Sequence, residues 1–196
     1  MARGMKSLIG MMSLSISLMS GCSDLQMGGA DKGEMKPPER PKALDRLEAF
    51  VGNWEGTMEM KMAGSPEVMK ATGTNSIQWA CDKRVLMDHF EADMGEAGKM
   101  SGIGMWAWDA KSKAFRIWWA DNSGGVSEGS ATYNEADKSW HHGTSGDNPM
   151  LGKRTYGQGT SRMTDDNTME WTWKEWDNSF KWGKPVMEMS GTSHRK

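Results

Sequence analysis

The chain has 196 residues, and 24 Lys and Arg against 26 Asp and Glu leave a formal net charge of −2. That balance supplies no basic surface for nucleic acid, and two cysteines cannot staple a domain of this size. Eleven tryptophans and 20 methionines beside sparse leucine mean that large rings and soft thioethers must fill the interior.

Arg3 and Lys6 precede an apolar run over 8–19, and Leu18-Met-Ser-Gly-Cys22 places small residues before a cysteine. This is the layout of a secretory signal, too short to span a bilayer permanently. It resembles the lipobox of bacterial lipoproteins, with Met19 standing where that box most often has Leu. The expectation is a signal peptide over 1–21 and a lipid attached at Cys22. Residues 22–40, polar and rich in Gly and Pro, read as a flexible tether. Ser23 rather than Asp after the anchor favours the outer membrane by the usual sorting pattern. With Cys22 acylated, Cys81 has no partner, so the domain over 41–196 must draw its stability from its core.

Residues 41–51 read as a short amphipathic helix, with Leu44, Leu47 and Val51 on one stripe and Phe50 beside it. Pro41 suits its first turn and Gly52 its end. Period-two patterning takes over at Trp54. Trp54, Gly56, Met58, Met60 and Met62 fall on one face, and Glu55, Thr57, Glu59 and Lys61 on the other. Further strands are expected at 68–79, 84–92, 100–108, 114–121, 126–133, 139–145, 155–164, 168–176 and 186–195. Turn clusters such as Asn122-Ser-Gly-Gly and Thr164-Asp-Asp-Asn separate them. The hairpin over 102–121 gathers Gly102, Gly104, Trp106 and Trp108 on one face, and Phe115, Ile117 and Trp119 on one face after the turn. Ten short strands joined by hairpin-length loops must close on themselves to remove their edges. The fold expected is all-β, an antiparallel up-and-down barrel with one short N-terminal helix.

A helix leading into Gly52-Asn-Trp54 resembles the opening of lipocalin and fatty-acid-binding (calycin) barrels. In those folds the Trp closes the barrel base and an Arg of the last strand crosses its ring. Alternation places Arg195 on the face of Met187, Met189, Gly191 and Ser193, so Arg195 is expected over Trp54. The stretches Leu47-Glu-Ala-Phe-Val-Gly-Asn-Trp-Glu-Gly56, Arg84-Val-Leu-Met-Asp-His-Phe90 and Gly102-Ile-Gly-Met-Trp-Ala-Trp-Asp109 resemble a bacterial family catalogued as domain of unknown function 1579. Residues 115–121 and Ser127-Glu-Gly129 extend that likeness. The resemblance implies a calycin-like barrel and no agreed activity.

An enclosed wall of Trp and Met implies a small apolar or amphipathic ligand. The residues expected to line its pocket are Met58, Met60, Trp106, Trp108, Trp119, Trp171, Trp173 and Met187, with His89 and Asp121 as polar anchors. Asp121 has a competing role, capping the turn that follows it. His141 and His142 point to opposite faces of one strand, so at most one enters the lumen. No metal-ligand spacing, nucleophile elbow or phosphate loop is present, so neither a metal, a cofactor nor a catalytic residue is expected. The alternative is a filled barrel that serves as an interaction module, meeting a partner through Trp118, Trp176 or Trp182 on its outer face.

Overall fold

A computed structural model describes residues 37–177 and 183–196; the expected signal peptide over 1–21, Cys22 with its expected lipid, and Trp182 lie outside the described residues. Contacts divide the chain after Pro38, and the domain over 39–196 is the barrel. A 3-10 helix, Lys42–Phe50, leads into ten strands: β1 Gly52–Met62, β2 Val68–Ala80, β3 Val85–Asp93, β4 Lys99–Asp109 and β5 Ala114–Asp121. β6 Val126–Asn134, β7 Ser139–Asn148, β8 Lys153–Asp165, β9 Thr168–Asp177 and β10 Met187–Arg195 follow. A second 3-10 turn, Gly95–Ala97, joins β3 to β4. Every strand pairs antiparallel with its chain neighbour, and β1 pairs with β10, which closes the barrel.

Alternation sorts the wall. Leu86, Asp88, Phe90 and Ala92 of β3 face inward, as do Trp106 and Trp108 of β4 and Phe115, Ile117 and Trp119 of β5. The outer face carries charges in cross-strand pairs, among them Lys70–Glu59 at 3.0 Å, Arg162–Glu170 at 2.8 Å and Lys174–Glu188 at 3.3 Å. Each exposed pair is worth well under about 1 kcal/mol, but together they keep the outside polar.

The helix is 3-10 rather than α, and its sequence explains why. Leu44, Leu47 and Phe50 are its buried residues, spaced by three, and a three-residue turn stacks them in one line. The expected α stripe through Leu47 and Val51 is corrected accordingly: Val51 is the C-cap, and Gly52 already belongs to β1. This apolar line plugs the lower end of the barrel against Trp54, Ile77, Leu86, Phe115, Ile117, Trp140 and Met169.

The seam beneath the plug is held by one arginine. The Arg195 guanidinium lies 4.2 Å over the Trp54 ring, donates to the carbonyls of Val51 and Ala49, and sits beside Trp54, whose indole N–H donates to Phe50 at 2.8 Å. Gly52 makes room for it. With φ at +141°, a Cβ there would meet Arg195 Nη1 at 2.6 Å. The Gly-x-Trp opening and the terminal Arg are therefore two halves of one lock.

Candidate functional site

The lower barrel is filled and the upper barrel is lined. Trp106 and Trp108, expected in the pocket, belong mainly to the floor. Trp106 packs on Phe50 at 6.3 Å and Trp140 at 5.5 Å between centroids, and Trp108 on Phe115 at 5.0 Å. Above them Met58 and Met60 are buried, Met58 in a second cluster with Ala71 and Ala92. Met187 is buried too.

Trp119, Trp171 and Trp173 line the upper wall by a device that periodicity alone does not disclose. Each indole lies flat on a glycine of a neighbouring strand. A Cβ on Gly102 would meet Trp119 at 2.3 Å, one on Gly191 would meet Trp171 at 2.6 Å, and one on Gly157 would meet Trp173 at 2.0 Å. Any side chain at those glycines would push the rings toward the axis. Instead the rings pave the wall and turn their faces to the lumen. Although they point inward, these three indoles and Phe90 are only half-buried. An inward side chain is reached by solvent only through the lumen or its mouth, so solvent reaches these four rings from within the barrel or from its rim. Phe90 and Trp119 stand 5.9 Å apart.

One proposed anchor is corrected. His89 points outward and is exposed, because β3 turns Leu86, Asp88 and Phe90 inward; Asp88 occupies the inward place. Its carboxylate accepts from Asn75 Nδ2 at 2.9 and 3.0 Å. Burial pushes its pKa up to about 6, against the Asn75 hydrogen bond and the His89 charge, which pull it down. Asp121 does face inward, but it is spent on its own turn. Its Oδ1 accepts from the Ser123 amide at 2.9 Å and the Gly125 amide at 3.1 Å, and its Oδ2 from Trp119 Nε1 at 3.1 Å. Glu128 faces out, 3.8 Å from Arg116.

Two further polar residues face inward: Glu175, which sequence reasoning did not single out, and His142, the one of the adjacent His141–His142 pair that turns in. Glu175 is buried near the mouth and accepts from Asn148 at 2.9 Å and from Thr155. His142 packs against Trp106 at 6.0 Å and Trp173 at 5.6 Å between centroids. Burial pulls its pKa down to about 4, the Thr160 backbone pulls it up and His141 pulls it further down, so it is neutral at pH 7. Its Nε2 is buried and has no hydrogen-bond partner among the described residues. The signal in the sequence was the phase of β7, which sends His141 out and His142 in once Trp140 is known to face the core.

On the outside, a hollow of about 610 Å³ lies over β6–β9 around Gly143, with Tyr156, Trp176, His141 and Lys174 among its walls. One outward row runs Trp118, Glu128, Ser145, Tyr156 and Trp176 across five paired strands. A smaller hollow of about 440 Å³ lies by Glu59, Lys70 and Asp93.

A family model described as a protein of unknown function, DUF1579, matches residues 39–193. The barrel is similar to the crystal structure of Rv2717c from M. tuberculosis, with TM-score 0.62 and 15% identity over 81% of this chain and 99% of that one. It is also similar to the S-type phycobiliprotein lyase CPES from Guillardia theta, with TM-score 0.56 and 11% identity over 80% of this chain and 94% of that one. No curated protein matches the chain. At these identities the two structures speak for the fold.

Proposed function

The chain belongs to the DUF1579 family, and we propose that its barrel binds a small apolar or amphipathic molecule in the upper lumen. The observation that carries this reading is the glycine paving. Three indoles pressed against the wall by Gly102, Gly191 and Gly157 present flat apolar faces to a space that solvent reaches. A barrel that only needed filling would pack those rings against one another, as Trp106 and Trp140 meet edge to face in the floor. Met58, Met60 and Met187 add thioethers that adapt to a ligand's outline, and Asp88 with Asn75 gives the space one polar side.

We further propose that this carrier sits at the cell envelope, a reading supported by the Leu18-Met-Ser-Gly-Cys22 run. A lipid on Cys22 would hold the barrel at the outer membrane through the tether over 22–40. Cells fed radiolabelled palmitate would mark the wild-type protein and leave Cys22→Ala unlabelled; equal labelling of both would remove the anchor.

Lumen binding is tested by titrating the protein with lauric acid and with 1-anilinonaphthalene-8-sulfonate while following indole emission. A saturable one-to-one change, weakened roughly tenfold or more in Trp119→Ala, supports the carrier. A response that never saturates, or one indifferent to Trp119, removes it. A second reading, an interaction module, is favoured by the outward row from Trp118, 36% exposed, to Trp176. Lack of lumen binding together with capture of a partner that Trp118→Ala abolishes would select it.

A further inference from the structure

Gly143 breaks the pattern that the barrel's other strand glycines follow. Among the described residues it alone of them lies on the outer face, since β7 turns Trp140 and His142 inward. Gly157, inward on β8, is demanded by the Trp173 ring, which a Cβ would meet at 2.0 Å. Nothing demands Gly143. A Cβ there would meet Gly157 O and Tyr156 Oη at 3.5 Å and Gln158 Cγ at 3.9 Å, which is ordinary contact, and its φ is not positive. A glycine inside a strand weakens it and often marks a place where a ligand comes close to the backbone. Here it leaves bare the floor of the outer hollow of about 610 Å³, a volume within the range of small-molecule sites.

The walls of that hollow are outward side chains of β6 to β9. Tyr156 pairs with Trp176 on its upper side, Gln158 lies across from Gly143 in the middle, and Thr160 pairs with Thr172 on the lower side. Both rings are fixed at their polar edges. Trp176 Nε1 donates to Gly183 O at 2.9 Å, and Tyr156 Oη accepts from Gln158 Nε2 at 3.0 Å. That contact leaves the Tyr156 hydroxyl proton and the Gln158 carbonyl for a guest. The two threonine hydroxyls stand 2.9 Å apart and share one hydrogen bond between them. Nearby charges are already matched, Lys174 with Glu188 at 3.3 Å and Glu128 with Arg116 at 3.8 Å. The strand backbones are spent on the closed ladder, so a peptide cannot add to them as a further strand.

We propose that this hollow binds an uncharged saccharide. A sugar ring has an apolar C–H face and a rim of hydroxyls, and the hollow complements both, with aromatic rings on one side and amide and hydroxyl groups on the other. A hydrocarbon would leave those polar groups against apolar surface, and an ion would find the neighbouring charges taken. The hollow lies outside the barrel, so the proposal does not depend on lumen binding.

Saturation-transfer NMR across concentration series of chitotriose, cellotriose and maltotriose makes the test. At least one of them is expected to give a saturable signal with the wild-type protein, weakened roughly tenfold or more in Trp176→Ala. Gly143→Thr is expected to keep its melting temperature, because a β-branched residue suits a strand and the space is there. It is expected to lose the signal, because its side chain fills the floor of the hollow. Saturating lauric acid is expected to leave the wild-type signal in place. No saturable signal from any of the three sugars would overturn the proposal. Displacement by lauric acid would put the sugar in the lumen and overturn it as well. A signal that survives both Gly143→Thr and Trp176→Ala would overturn the assignment to this hollow. Tighter binding of trigalacturonate than of every neutral sugar would overturn the claim of an uncharged ligand. Should Gly143→Thr fail to fold, Gln158→Ala takes its place: a severalfold weaker signal supports the site, and an unchanged one overturns it.

Discussion

Asp88 and His142 make the barrel's pH dependence a contest between two buried groups. Folded Asp88 keeps its proton up to about pH 6, whereas the unfolded side chain gives it up near 3.8, the ordinary aspartate value. Between those limits the folded state binds more protons, so this group makes stability fall as pH rises. His142 does the reverse: the unfolded ring protonates near 6.5 and the folded one only at about 4, so stability falls as pH drops through that window. Each is worth at most about 3 kcal/mol, and the opposed slopes leave the wild-type protein nearly level from about pH 4 to 6.5. Urea midpoints should therefore climb with pH in Asp88→Asn and decline with pH in His142→Phe. Two single variants with slopes matching the wild type would show that neither group titrates as its burial requires. The sequence marked His89 and Asp121 as the polar anchors instead. Asp121 was legible as a turn-former from the Asn122-Ser-Gly-Gly run after it. His89 was misplaced by one residue, because alternation fixes which residues share a face but not which face is inside. Only packing against Leu86 and Phe90 decides that.

The elements were more legible than the residues, since strands of 8 to 13 residues repeat their period several times before a turn ends them. The hairpin from β4 to β5 pairs Trp106 with Ile117 and Trp108 with Phe115, all inward, as period two requires. The first helix was legible as a helix but not as a 3-10 helix, because Leu44, Leu47 and Phe50 fit a three-residue turn while Val51 imitates an α stripe. Leu47 is fully buried in that plug, and Leu47→Ala should cost about 2–5 kcal/mol in denaturant unfolding. A loss under about 1 kcal/mol would mean that the plug is not part of the core. The turn between β2 and β3 was legible in place, from the Cys81-Asp-Lys83 cluster, but not in its backbone. Cys81, Asp82 and Lys83 carry no glycine, yet all three take positive φ, at 50°, 53° and 59°. That backbone is costly for residues with a Cβ, so Lys83→Gly should raise stability by roughly 0.5–1 kcal/mol. A lowered melting temperature would show that the lysine side chain is needed there, beyond the carbonyl that accepts from Arg40 Nε at 2.7 Å.

For the whole molecule, closure between β1 and β10 is what turns ten amphipathic strands into an inside and an outside. That much followed from strand count and from the two ends of the domain. The distinction between a filled floor and a lined upper lumen did not, because it depends on which glycine sits beside which tryptophan across a strand pair, and no single-strand pattern carries that. Gly102→Ala should drive Trp119 off the wall, cost about 1–3 kcal/mol and weaken lumen ligands. The methionines give the most direct view of the central claim. In a spectrum of methionine methyls labelled with carbon-13, saturation with lauric acid should shift Met58, Met60 and Met187, which are buried in the barrel. Met105 and Met150, exposed at 37% and 63%, should stay where they are. Shifts confined to the exposed methyls, or to none, would contradict an open lumen as the binding site.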